Sequence, residues 1–305
     1  MSDVTFPVAP ARVTVFGIGA GKAGSSWLAA MLMQHPRVFI PPQKELHFFN
    51  REAPEWETLI NPNYGKSLSW YHHFYSDAAT DQLLGDMTPA YLLSSTAAAD
   101  IAAYAPEAKL IVTLRDPLDT AFSMYRYRIQ RGVISPRTSF AEAIRSDRRI
   151  VQNSSIGTNL EKFLEYFSTE NFHYVFFEDI EEYAQTVIDQ VCDFLDIERF
   201  TPSGMTTAVN TTGAPRFPLI ARGFRSGLVF AKRLQAGVLI RRLKRNAVGR
   251  ALQRWAEASV PVTERPVPTP DAVALVADQF DREIRKLESM TGRDLSSWRE
   301  HLNTL

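Results

Sequence analysis

One stretch limits the fold before anything else in the chain: VFGIGAGKAGSSWLAAML, Val15 to Leu32. A short β-rich apolar run, Val13 to Phe16, leads into a glycine-rich turn and then into SSWLAAMLMQH, whose apolar positions recur at helical spacing. A strand, a tight turn and a helix in that order open a parallel α/β sheet, because parallel strands need a crossover and a helix supplies it. The helix start also presents unpaired backbone N–H groups and a positive dipole end, so a glycine turn feeding it suits an anion, a phosphate above all.

The rest of the first 200 residues repeats the alternation. RVFI (Arg37 to Ile40) reads as a strand stopped by Pro41 and Pro42. LLGD (Leu83 to Asp86) reads as a short buried strand, and KLIVTL (Lys109 to Leu114) as a longer one running into Arg115-Asp116-Pro117 and the helix LDTAFSMYRYRIQR. A helix near Thr158 to Phe167, the strand FHYVFF (Phe172 to Phe177) and the helix EEYAQTVIDQVCDFL follow. Lys44 to Ser76, rich in aromatics, Asn and Pro but aperiodic, predicts loops and short helices over one end of the sheet. The pattern is a mostly parallel sheet with helices on both faces, whose ligands bind at the carboxyl ends of the strands.

Composition adds bounds. The chain has 305 residues, 45% apolar and 22% charged, which suits a soluble globular protein, and its 34 Lys and Arg balance 34 Asp and Glu, so net charge names no partner. The single Cys192 lies in an apolar pattern and reads as a buried structural thiol in a reducing compartment. The N-terminus lacks the pattern of a signal peptide, and no run approaches the roughly 18 apolar residues of a spanning helix, so a cytoplasmic protein is expected. Beyond residue 200 the character changes. Arg216 to Ala256 holds 11 Lys or Arg and no acid, and the Pro-rich VPVTERPVPTP then precedes an amphipathic helix, DAVALVADQFDREIRKLESM. Residues 200–305 are expected to form a basic, mostly helical extension of a single domain spanning 1–305. Its basic stretch, Arg216–Arg254, fits solvated helix faces, a groove for an anionic polymer, or peripheral contact with an anionic membrane. No nucleic-acid-binding module accompanies it.

Three anion-binding readings compete for the opening turn. The P-loop pattern G-x4-G-K-[ST] fails twice, at Phe16 where a glycine is needed and at Ala23 where a magnesium-binding hydroxyl is needed. The dinucleotide pattern G-x-G-x-x-G is met by Gly19, Gly21 and Gly24, but the second strand ends in prolines rather than an acid, with Glu45 displaced into the next turn. The third reading centres on Lys22, followed by Ala23, Gly24, Ser25, Ser26 and Trp27: a lysine before a helix start with hydroxyls in its first turn makes a cradle for a terminal phosphate bearing a further anionic group.

GKAGSSWL, HPRVFIPPQKELHFF, GDMTPAYL and KLIVTLRDPLDTAFSMYRYR, in that order, resemble the sulfotransferases that use 3′-phosphoadenosine 5′-phosphosulfate, in particular the glycosaminoglycan (heparan sulfate-type) branch and its bacterial relatives. The resemblance covers most of the chain, with VFFEDI…VCDFLDI and IRKLESMTGRDLSSWRE as later matches. It implies a P-loop-like three-layer sandwich and sulfuryl transfer to a hydroxyl in the first place, an amine in the second, on a carbohydrate, glycoconjugate or glycolipid. Adenosine 3′,5′-bisphosphate would be the second product, and no metal is implied.

The resemblance also implies roles. Lys22 with Ala23, Gly24, Ser25 and Ser26 would hold the 5′-phosphosulfate, while Trp27, two residues into the helix, reads first as a core residue and second as a cofactor contact; Arg115 and Ser123 would hold the 3′-phosphate; Arg216 would close a loop over the nucleotide. Glu45 would be the general base, with His47 beside it. Burial beside Phe48 and Phe49 would raise the Glu45 pKa, and Lys44 would oppose that. Departures from the family pattern are Met87, where a lysine is frequent and whose thioether cannot contact an anion, which puts in doubt a second catalytic cation and close identity with the heparan-type enzymes, and Asn159, where a tyrosine is common, which bears on acceptor recognition. Asp86 would line the acceptor pocket or pair with a nearby base, and Tyr91 reads first as a packed tyrosine and second as a wall of that pocket. Two rivals stand beside this reading: a nucleotide kinase using the same cradle, which Ala23 argues against, and a non-catalytic binder, which would have no use for a base at Glu45.

Overall fold

The computed structural model describes residues 12–52, 59–205, 214–215, 259–260 and 268–304. Its centre is a parallel sheet of five strands: β1 (Val15–Gly19), β2 (Val38–Phe39), β3 (Leu83–Met87), β4 (Lys109–Leu114) and β5 (Phe172–Phe176), ordered β2-β3-β1-β4-β5. From β1 the chain winds outward to β2 and β3 on one side and then to β4 and β5 on the other. The crevice at the carboxyl ends of β1 and β4 is therefore the topological switch point.

Alternation along the strands builds two cores. Phe16, Ile18, Leu110, Val112 and Leu114 face one side, with α3 (Ala97–Tyr104), α4 (Pro117–Gln130), α5 (Phe140–Ser146), α6 (Arg148–Ser154) and α7 (Ile156–Leu164) covering them. Val15, Ile111 and Val175 face the other, under α1 (Ser25–Leu32) and, after α8 (Phe177–Glu182), α9 (Ala184–Leu195). Helices on both faces give the three expected layers. Cys192 is fully buried in the second core, and burial raises its thiol pKa, so it behaves as a packed hydrophobe.

Several boundaries move from the sequence expectation, each for a local reason. β1 runs to Gly19 rather than stopping at Phe16, because glycine is what its later positions require: a Cβ on Gly17 would sit 2.4 Å from Met87 Cε. Packing there overrides the low strand propensity of glycine. The helix expected over 181–195 is two, broken at Tyr183, and Phe177 already belongs to the first. Asp116 caps α4 by accepting from Leu118 N at 2.7 Å and Asp119 N at 3.2 Å, with Pro117 in the first turn, so Arg-Asp-Pro is a strand end joined directly to a helix start. Among its described residues the aperiodic region forms loops, the short α2 (Leu68–His72) and a 3-10 turn over His73–Tyr75, as expected.

The C-terminal helices α10 (Pro270–Ala274), α11 (Ala277–Thr291) and α12 (Ser296–Thr304) share the first core through Phe280, Ile284, Leu287, Trp298 and Leu302. Glu283 on α11 accepts from Thr158 N at 2.9 Å, and a Cβ on Gly157 would meet Lys286 Cβ at 2.8 Å, which explains the glycine. Asn159 is buried and donates to Gln152 O and Ser155 O, at 2.9 and 2.8 Å. It is a structural residue of α7. Met87 likewise packs into the core under α1 and over Gly17.

Candidate active site

The residues singled out from the sequence converge on the carboxyl edge of the sheet. Lys22 follows β1, Arg115 follows β4, and their segments touch: the Arg115 guanidinium donates to Lys22 O at 3.5 Å. The glycine turn is braced by Thr113 Oγ1, donating to Gly19 O and Ala20 O at 3.2 and 3.1 Å, and by Asn153 Nδ2, donating to Gly21 O at 2.8 Å. Gly24, just before α1, has φ 98°, and a Cβ there would lie 2.6 Å from Ile180 Cδ1, so only glycine suits both the backbone and the packing. The N–H groups of Ser25, Ser26 and Trp27 lie in the first turn, where a helix offers them no internal acceptor.

Trp27 packs in the core, the first of its two expected readings. Its indole is buried in the core and donates to Met205 O at 2.9 Å, so only its backbone N–H is left to offer a nucleotide. Ala23 is fully buried and offers backbone alone.

Arg115 pairs with Asp119, at 3.0 Å, rather than with Asp116, which is occupied capping α4. Its guanidinium lies 4.3 Å over the Phe177 ring, and its Nε is buried without a partner. Asp119, Ser123 and Tyr127 recur every four residues and so share one face of α4. Asp119 meets Arg115 at one end of that face, and the Tyr127 ring lies 4.8 Å from Lys22 Nζ at the other, which brackets half-buried Ser123 between them. The Lys22 ammonium is held down to about 8, first by burial and then by Arg115 and Arg126.

Opposite this cradle stands the segment after β2. Glu45 lies between two nitrogens, 3.5 Å from Lys44 Nζ and 3.7 Å from His47 Nε2. Its side chain is 44% exposed, so the burial expected beside Phe48 and Phe49 is not found; those rings point into the first core. His47 is held below its ordinary pKa by burial and is neutral near pH 7, and its Nδ1 is buried without a partner.

Four described residues other than glycine have positive φ: Lys22 (72°), Glu45 (71°), His47 (52°) and Asp196 (58°). Such backbone costs of order 1–3 kcal/mol per residue and persists where surrounding structure enforces it, and three of the four residues lie at this one edge. The enforcement is visible. Asn63 Nδ2 donates to Leu46 O at 2.8 Å, Asn61 Nδ2 donates to His47 O and Asn50 O, and Phe48 N donates to Tyr91 Oη at 3.1 Å.

Tyr91 is fully buried and donates to Asp86 Oδ2 at 2.6 Å; Tyr71 donates to the same oxygen at 2.9 Å and Thr88 to Oδ1 at 2.6 Å. Asp86 is 1% exposed and its carboxyl is raised by burial. Asp86 and Tyr91 are thus interior supports of the 45–50 loop and do not line a pocket. Sequence reasoning gave no role to Asn153, Tyr127, Asn61 or Asn63. Only the asparagine-rich composition of the loop hinted at the last two. Arg216 and the basic stretch Arg216–Arg254 lie outside the described residues.

A parallel α/β sheet with Lys22 and Arg115 gathered at its switch point and a carboxylate held nearby is the architecture of a ligand-binding α/β protein. Within that class the chain belongs to the sulfotransferase family: the sulfotransferase domain model matches residues 14–212. The chain is 28% identical over 171 residues to human heparan sulfate glucosamine 3-O-sulfotransferase 5, an alignment covering 52% of this chain and 46% of that protein. It is 28% identical over 199 residues to mouse bifunctional heparan sulfate N-deacetylase/N-sulfotransferase 4, covering 59% and 22% respectively. It therefore spans less than half the length of either relative. A solved sulfotransferase from Alicyclobacillus acidocaldarius superposes with TM-score 0.66 at 21% identity, covering 95% of this chain and 99% of that one, which shows the shared fold. Among the described residues, no helix is long and apolar enough to cross a membrane, and no group of His, Cys, Asp and Glu could hold a metal ion.

Proposed function

We propose that this chain transfers a sulfuryl group from 3′-phosphoadenosine 5′-phosphosulfate to a hydroxyl of a carbohydrate or glycoconjugate. The observation that carries the reading is the convergence of Lys22, Glu45 and Arg115 at one edge, with Lys22 and Glu45 both held in left-handed backbone. The donor fits the residues present. Gly24 lets the turn adopt the positive φ that leads into α1, Lys22 supplies a cation and the first-turn N–H groups of α1 supply neutral donors, and the unpartnered Arg115 Nε with Ser123 supplies donors for a second phosphate.

In this reading Glu45 takes the proton from the acceptor hydroxyl as its oxygen forms a bond to sulfur. The bond from sulfur to the bridging oxygen breaks, and its electron pair stays on the departing bisphosphate. Lys22 and the α1 N–H groups stabilise the charge that develops there, more strongly in the transition state than before it. Neutral His47, 3.7 Å from Glu45, orients the carboxylate without competing for its charge. The carbohydrate acceptor is supported by the two relatives named for heparan sulfate and by the acid-free basic stretch Arg216–Arg254, which suits an anionic chain.

The test is transfer of radiolabelled sulfuryl from the donor to a panel of partly desulfated heparan-type oligosaccharides, a glycolipid and small phenols. Glu45→Gln should lower turnover by about 10²–10⁴-fold while leaving bisphosphate affinity intact. Full turnover in that variant would remove Glu45 from the role, and transfer confined to the phenols would overturn the carbohydrate acceptor.

A further inference from the structure

The cradle holds a second lysine that the Lys22-centred reading does not use. Lys44 Nζ donates to Ser26 Oγ at 2.9 Å, in the first turn of α1, and lies 3.5 Å from Glu45 Oε1. Its side chain is only 19% exposed. It therefore bridges the two halves of the site: the hydroxyl of the cradle on one side, the carboxylate of the base loop on the other.

In-line transfer fixes what must lie between those halves. The base holds the acceptor oxygen, the cradle holds the leaving oxygen, and the sulfur with its three non-reacting oxygens sits between them. A cation spanning from Ser26 to Glu45 is beside those oxygens. We propose that Lys44 is a catalytic residue that binds the transferring sulfuryl group itself, supplying the second cation that β3, with Met87 turned into the core, does not. The inference rests on the phosphosulfate reading of the site.

Charge balance supports it. Lys22, Lys44 and Arg115 gather around Glu45 and Asp119, of which Asp119 is engaged by Arg115 and Glu45 is shared between Lys44 and His47. Burial lowers the pKa of both lysines, the mark of ammonium groups not fully compensated by protein carboxylates. An anion completes such a site. As sulfur moves toward the acceptor, its oxygens travel with it, so a lysine anchored beside the base stays in contact through the transfer.

Adenosine 3′,5′-bisphosphate lacks the sulfuryl group and otherwise matches the donor, so the pair of ligands isolates Lys44. Calorimetric titration of the full chain, without acceptor, would compare the two in wild type, Lys44→Met and Lys44→Arg. Lys44→Met should weaken donor binding about tenfold to a hundredfold, the size of a hydrogen bond between charged groups, with bisphosphate affinity within about twofold of wild type. Lys44→Arg should recover most of the donor affinity. Intact bisphosphate binding doubles as the folding control, and Lys44→Gln, which keeps a donor for Ser26, substitutes if the Met variant is unstable. Equal losses for both ligands would reassign Lys44 to bracing Ser26, and no loss for either would make it a mere ion-pair partner of Glu45. Wild type binding neither ligand would instead overturn the phosphosulfate reading, a distinct failure.

Discussion

Lys22 gives the sharpest quantitative test. Its ammonium titrates at about 8 in the unliganded protein because burial and the neighbouring Arg115 and Arg126 disfavour the charge. A bound bisphosphate requires that charge, so above pH 8 binding must recruit a proton. The charged fraction falls from ~0.9 at pH 7 to ~0.09 at pH 9, and affinity should weaken about tenfold over that interval, or ~1.4 kcal/mol. The ligand's own phosphates lose their last proton near pH ~6 and stay constant across this range. Lys44, which also titrates low, is excluded by choosing the bisphosphate, which has no sulfuryl group for it to meet. Calorimetry in buffers of different ionisation enthalpy should report proton uptake rising toward one per ligand at pH 9. Lys22→Arg, permanently charged, should give a flat profile. A flat wild-type profile, or the same slope in the Arg variant, would refute the assignment.

Two further outcomes follow from contacts away from the cradle. Tyr91→Phe removes a buried hydroxyl that accepts from Phe48 N and donates to Asp86, so it should cost about 1–3 kcal/mol in urea denaturation and slow turnover with bisphosphate affinity little changed. His301 on α12 meets Asp116 at 2.9 Å, and that hydrogen bond raises its pKa above the ordinary 6.5. The pair therefore stabilises the fold fully below pH 6.5 and progressively less as pH rises through the folded value. His301→Gln should lose measurable stability at pH 6 and almost none at pH 9, a modest effect because the ring is partly exposed.

The sheet was legible from the sequence because its strands are short apolar runs bounded by turn residues, and Lys109–Leu114 and the helix after it fall where the pattern puts them. Arg115 was legible because it directly follows a strand and Lys22 because it stands in the glycine turn between a strand and a helix, whereas Glu45 was singled out by the family resemblance of its segment. Burial was not. Asp86 and Asn159 stand in the right segments, but their side chains point inward, and no local pattern encodes which way a polar residue turns. Asn153 braces the glycine turn from 132 positions away, a contact that only the packing of α6 creates. Lys44 was visible only as a cation beside Glu45; its bond to Ser26, 18 positions earlier, is what makes it part of the cradle.

The most direct test of the account is calorimetric titration of the full chain with adenosine 3′,5′-bisphosphate in the presence of a chelator, beside ATP with magnesium and NAD. The account predicts metal-independent bisphosphate binding that exceeds both alternatives and falls sharply in Arg115→Ala. Preference for ATP with magnesium or for NAD, or bisphosphate binding indifferent to Arg115, would contradict it.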